Sequence, residues 1–329
     1  MEGPLSSETR SWQGTVSENH SKGEGNMGTG DSVGATLRGR PRAQRRGSID
    51  SRPLRRMVAR GVLYVIVLLF FFLYVLPLLW ALSTSLKSEP QVYTVPPIWI
   101  PNPVVWRNYP DALTRVPFLR YIFNTFKIAI PVVFGSLLSN AIVAYGFARI
   151  RWHFRDAFFY LCIATMIIPF QVTMIPLFIT FTKLKWVNTY LPLIVPAFLA
   201  NPWNIFLLRQ FFMTIPHELS DAARVDGCSE WGILFRIVLP LSVPALAVVA
   251  LFNFIGTWND YLGPLVYLNR DELYTVAIGL SRFEASERTA ARWPWLMAAS
   301  MVTITPVLVL FFLAQRTFIE GITLTGIKG

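Results

Sequence analysis

Hydrophobic and polar residues segregate along this chain into long blocks. Apolar stretches cover about 61–83, 122–148, 157–181, 190–209, 243–266 and 295–315, with polar segments between them. Each block holds roughly the 20 residues that a helix rising 1.5 Å per residue needs to cross a bilayer. Pro77, Pro131, Pro169, Pro176, Pro192, Pro196, Pro202 and Pro306 fall inside these blocks, and proline interrupts the fourth three times. Such prolines damage soluble helices, whereas membrane helices tolerate them because neighbouring helices and water re-satisfy the freed carbonyls. The pattern predicts an all-α polytopic membrane protein with six transmembrane helices, its membrane domain covering 56–329.

Composition agrees. Of 329 residues, 53% are hydrophobic and only 15% charged, against about 25% charged in soluble domains. Residues 1–55 differ from the rest, holding nine of the 20 glycines and Trp12 as their single aromatic residue. They cannot bury enough apolar surface to offset chain entropy, which predicts a disordered basic cytoplasmic tail. The tail ends in an arginine run from Arg38 to Arg60 that abuts the first apolar block. That position favours an orienting cluster against anionic membrane lipid over an arm for nucleic acid. The first block is too long for a signal-peptide core and no small-residue cleavage site follows it.

Lys and Arg number 19 in the segments that would face inward if the N-terminus is inside, against 10 in the outer loops. The bias predicts cytoplasmic N- and C-termini. The two cysteines, Cys162 and Cys228, exclude a disulfide framework. His20, His153 and His217 lie outside the apolar blocks, so no intramembrane metal or catalytic constellation forms, and no metal or other cofactor is expected.

The inward segment of about 214–240 is not generic. It predicts a helix, a break and a second helix. Thr214 is placed to cap the first helix, Pro216 suits its first turn, and Glu218 adds negative charge near its positive end. Leu219, Ala222, Ala223 and Asp226 share one side by their spacing, and the two alanines let another surface approach closely. Gly227 can take the left-handed conformation that ends a helix, and Ser229 can cap the next. A connector resting on lipid would be basic and bulky. This one carries Glu218, Asp221, Asp226 and Glu230 against Arg224 and Arg236, which suits docking onto a protein.

Asp221-Ala222-Ala223, then Asp226-Gly227 after two residues, then Ile237-Val238-Leu239-Pro240 after nine more, resembles the EAA coupling loop of binding-protein-dependent ABC importer permeases. Asp221 departs from that pattern, whose first residue is Glu, by one methylene. The outer segment from Ser85-Leu86-Lys87 through Pro96-Pro97, Trp99, Pro101 and Asn108-Tyr109 is similar to the first loop of carbohydrate permeases, as is Trp258 through Leu265. The ending, Gln315 to Gly329, is similar to the terminus of the maltose-G-type class. The resemblance implies a type I ABC importer permease fold and a sugar or sugar derivative as substrate. It also implies a second permease subunit as heterodimer partner, two ABC ATPase subunits and an extracytoplasmic solute-binding protein, in a bacterial cytoplasmic membrane. Glu218, Asp221, Ala222, Ala223, Asp226, Gly227 and Pro240 would carry ATPase coupling, with Asp221 as charged anchor.

The chain contains no G-x-x-x-x-G-K-[ST] phosphate loop, so on this reading it is no enzyme and a partner hydrolyses ATP. An ABC permease for a non-sugar solute would use the same loop. A gradient-driven transporter would need ionisable groups deep in the membrane, and the spans offer Lys127 and Asp260, both near predicted ends. Asn124, Asn140, Gln171, Asn253, Trp258 and Asn259 are the polar or aromatic groups that could line a translocation path. Among them Gln171, Asn253, Trp258 and Asn259 are the candidate substrate contacts, because sugars bind by ring stacking and amide hydrogen bonds. Against this, a membrane Asn or Gln commonly joins helices, and a Trp near a span end commonly anchors at the interface.

Overall fold

The computed structural model describes residues 52–286 and 292–325. The predicted disordered tail therefore lies almost wholly outside the described residues, as do the last four residues of the carbohydrate-permease-like ending. The described chain is helical, without strands.

Four helical stretches are each long and apolar enough to cross a bilayer: Ala59–Ser85, Phe118–Ala148, Leu191–Thr214 and Trp293–Gln315. Two further pairs, Arg155–Ile167 with Phe170–Lys183 and Glu230–Leu241 with Val243–Asn259, are bent by 94° and 81°. Counting each bent pair as one span gives six among the described residues.

The principal helices are α1 (Arg52–Ser85), α2 (Asn108–Arg115), α3 (Phe118–Ala148), α4 (Arg155–Ala164) and α5 (Phe170–Lys183). They continue with α6 (Pro202–Thr214), α7 (His217–Val225), α8 (Glu230–Ile233) and α9 (Val243–Asn259). The last three are α10 (Leu262–Tyr267), α11 (Val276–Ser286) and α12 (Trp293–Thr325).

Three expected spans are revised. The block at 157–181 is two helices, because Pro169 offers no N–H and holds Ile168 extended at φ −76° and ψ 113°. The block at 243–266 stops at Asn259. Asp260 leaves helical geometry at ψ 115°, and its Oδ1 accepts the Gly263 N–H at 3.0 Å to start α10. That carboxylate closes the turn between α9 and α10. The fourth span runs on to Thr214 but is assembled from pieces. Ala200 sits at φ 64°, and the Asn201 side chain then caps α6 by accepting from the Trp203 and Asn204 N–H groups at 2.9 and 3.4 Å.

Helix α3 is the hub. It packs along α6 and α9, while α9 also packs on α12. Small residues make the close approaches. A Cβ on Gly135 would stand 2.5 Å from the Phe198 ring, so this glycine admits the segment before α6 against α3. One apolar cluster, including Ala144, Leu208, Phe212 and Val249, fills the half of the bundle nearer the 214–240 connector. A second, including Phe118, Tyr121, Phe254 and Trp258, fills the other half. By contrast, none of the apolar window of α1 is buried within the chain. A helix apolar on every face belongs in lipid or against another subunit. Its end is tied down where Asn108 Nδ2 donates to the Ser85 and Lys87 carbonyls at 2.9 and 2.8 Å.

Candidate coupling site

The connector folds as helix, break and helix. Gly227 takes φ 79°, the left-handed conformation that the side-chain-free residue adopts without strain. The Ser229 hydroxyl accepts from the Gly232 N–H at 3.3 Å and so caps α8. The expected cap of α7 is corrected. Thr214 ends α6, where its hydroxyl donates to the Phe211 carbonyl at 2.7 Å, and Pro216 occupies the cap position without a side-chain bond. Proline at 216 prevents α6 from continuing and directs the chain into α7.

Helix α7 does not present its alanines as a pair. Ala222 is exposed, whereas Ala223 packs against the core cluster and Ser220 is buried. Successive helical residues lie about 100° apart, so one alanine serves each face. The outward face carries Glu218, Leu219, Asp221, Ala222 and Val225, the last 88% exposed, with Asp226 and Gly227 exposed just beyond. Pro240 is exposed too, in the short turn between a five-residue π-helical segment, Leu234–Val238, and the bend into α9.

Asp221 is not free. Arg224 Nη1 donates to its Oδ1 at 2.7 Å, and Arg224 Nε donates to Glu230 Oε1 at 2.8 Å. The Glu230 hydrogen bond, then that of Asp221, holds the Arg224 guanidinium more firmly protonated than usual. Glu230 Oε2 also accepts the Tyr145 hydroxyl from the last turn of α3. Four residues later, just past the end of α3, the 5%-exposed Arg149 donates to His217 Nδ1 at 3.0 Å and to the Pro216 carbonyl at 3.4 Å. The sequence reading missed Tyr145 and Arg149. Their spacing of four at the end of an apolar block was the available signal.

The candidate path residues do not converge. Asn253 is half-buried between helices: its Nδ2 donates to the Val249 carbonyl at 2.7 Å and its Oδ1 accepts from Asn204 at 3.4 Å. Trp258 is 1% exposed, stacks on Phe254, and donates its indole N–H to the Thr303 carbonyl at 3.1 Å. In this conformation its ring packs the core instead of offering a face. Gln171 and Asn259 are exposed. Asn124 donates to the Glu272 and Tyr274 carbonyls at 2.7 and 3.0 Å. Asn140 accepts the Asn201 N–H at 2.7 Å and donates to Ser136. Both therefore join helices and loops. Among the described residues no group of His, Cys, Asp and Glu could hold a metal ion.

Residues 140–323 match the family described as the binding-protein-dependent transport system inner membrane component. The chain is 36% identical over 261 residues to an arabinooligosaccharides transport system permease protein of Halalkalibacterium halodurans, covering 78% of this chain and 92% of that one. It is 32% identical over 254 residues to a sulfoquinovosyl glycerol transport system permease protein of Agrobacterium fabrum, covering 77% and 88%. Its fold matches a bacterial ABC transporter chain involved in import of the acidic polysaccharide alginate. There the TM-score is 0.71 and the identity 24%, with 82% of this chain and 98% of that chain covered. The chain belongs to the binding-protein-dependent transport system inner membrane component family. It is a membrane-spanning permease subunit of an ABC importer, and membership implies a partner permease, an ATPase and a solute-binding protein.

Proposed function

We propose that this subunit carries a sugar or sugar derivative across the bacterial cytoplasmic membrane, driven by a separate ATPase that docks on the 214–240 connector. The observation that carries the reading is the connector itself. The motif begins on α7, an exposed helix with an acidic and apolar outer face, whose Ala223 packs inward against the core. Glu218, Asp221, Ala222 and Asp226 would meet the ATPase, with Val225 as an apolar contact. Gly227 sets the turn behind them, and Pro240 begins the return to the membrane. The substrate class rests on relatives whose names give arabino-oligosaccharide and sulfoquinovosyl glycerol transport.

On this reading the N- and C-termini lie in the cytoplasm and the outward face of α7 looks into it. The subunit pairs with a second permease as a heterodimer, carries two ATPase subunits below, and receives solute from an extracytoplasmic binding protein. The apolar stretch of α1 meets lipid or that second permease. Gln171 and Asn259 would meet solute, both being exposed, whereas Asn253 is taken up by the Val249 carbonyl and Asn204.

Purification from the native membrane in mild detergent, with mass spectrometry of every stoichiometric partner, tests the assembly. Uptake of arabino-oligosaccharides, alginate oligosaccharides and glycerol 3-phosphate into vesicles bearing that complex tests the substrate. A second permease, an ATPase and ATP-dependent sugar uptake are expected. Recovery of the chain without an ATPase would sink the docking of an ATPase on the connector, and uptake of glycerol 3-phosphate alone would sink the sugar.

A further inference from the structure

The connector is bound to the membrane helices by more than its peptide chain. Tyr145, in the last turn of α3, and Arg149, the residue that follows its end, are 3% and 5% exposed, and each holds a different part of the connector. Arg149 holds the start of α7 through His217 and the Pro216 carbonyl. Tyr145 holds Glu230, which holds Arg224, which holds Asp221. Both ends of α7 therefore hang from the end of one helix.

The covalent route from α7 into the membrane is of another kind. It passes through the left-handed Gly227, the π-helical turn Leu234–Val238 and an 81° bend before reaching α9. Each of these is a place where backbone can yield, and a π-helical turn has weaker geometry than the α-helix around it. A push on α7 would be partly absorbed along that path. The side-chain route is short and sits at the edge of a packed core, where Ala144, Ala148 and Phe212 leave little room to give. Helix α3 in turn packs along α6 and α9.

We propose that Tyr145 and Arg149 form a two-point clasp that imposes the displacement of α7 on α3, and through α3 on α6 and α9. They are positioning residues, touching neither nucleotide nor solute. The inference rests on the proposed ATP-driven reading. It assigns Arg224 and Glu230 an intramolecular role in place of partner contact, and leaves Asp221 shared between Arg224 and the docking face. The buried half of the clasp carries most of its strength. The Arg224 pairs are largely exposed and solvent-screened, whereas a donor or acceptor left unpaired at Tyr145 or Arg149 bears its desolvation cost.

The test compares Tyr145→Phe and Glu230→Ala, which remove opposite ends of one hydrogen bond, in the complete complex with its binding protein in proteoliposomes. The readout is solute imported per ATP hydrolysed, at equal ATPase stoichiometry. The probe is radiolabelled arabinotriose or alginate trisaccharide, whichever the wild-type complex imports. Each variant should lower that ratio by about three-fold or more, the scale of coupling carried by such contacts. The double variant should fall no further than the worse single one, because both break the same link. A residue that merely stabilised the fold would reduce the yield of complex and leave the ratio alone. Wild-type ratios in both single variants overturn the clasp. Absence of an ATPase from the wild-type preparation would overturn the docking of an ATPase on the connector along with it.

Discussion

Asn140 Oδ1 accepts the backbone N–H of Asn201 at 2.7 Å, joining the middle of α3 to the break that precedes α6. Asn140 is fully buried, and its amide nitrogen is used by the Ser136 carbonyl and hydroxyl on the same helix. The side chain thus supplies the partner that a broken helix leaves its first N–H without. Such a break is viable inside a membrane domain only when its backbone groups are satisfied by protein.

Asn140→Ala should accordingly destabilise the subunit by about 1 kcal/mol, because the part-buried Asn201 N–H loses its partner. Thermal unfolding in detergent, followed by thiol accessibility of the half-buried Cys162, reads this out. An unchanged transition would show that water replaces the amide.

Gly135 and Gly146 lie on the same helix in opposite circumstances. An added Cβ would collide with the Phe198 ring at the first and meet nothing within 4 Å at the second. Gly135→Val should therefore reduce the yield of folded subunit sharply, and Gly146→Ala should leave it at wild-type level. Size-exclusion profiles of the two variants decide the matter.

Gly227→Ala puts a Cβ into open space but into a left-handed backbone at φ 79°. The cost is about 1–2 kcal/mol of local strain and no clash. Membrane insertion should be normal while hydrogen exchange across 224–230 speeds up several-fold. Exchange rates identical to wild type would mean that the turn is not held in the left-handed form in solution.

Asp221→Lys sets a cation beside Arg224, where a carboxylate now accepts at 2.7 Å. The variant should insert into the membrane normally and lose transport, since both the docking face and the Arg224–Glu230 link are disturbed. Asp221→Asn keeps the shape and a hydrogen-bond acceptor and should retain part of the activity. Full sugar uptake by the lysine variant would remove Asp221 from the coupling role.

The path residues show how far the chain could be read without coordinates. Asn124, Asn140 and Asn253 were legible as polar groups in apolar blocks, but not as groups already committed to backbone partners. Trp258 lies near the end of α9, where an interface anchor or a sugar platform would sit, yet it is packed against Phe126 and Phe254. Which face of a membrane helix meets protein and which meets lipid is not encoded in its hydropathy, since both surroundings are apolar.

The sequence alone determined what depends on composition and local chemistry. Twenty-residue apolar runs must become helices in lipid, because no other open structure satisfies their backbone. The Asp-Gly step at Asp226-Gly227 must end a helix, and the spaced motif around it marks the connector. Only the tertiary structure decided what depends on distant partners. It broke the block at 157–181 at Pro169 and stopped α9 at Asp260. It sent Ala223 inward while leaving Ala222 outside, and brought Tyr145 onto Glu230, 85 residues away. Those outcomes follow from which surfaces meet, and hydrogen bonds between remote segments leave no periodic trace in the chain that makes them.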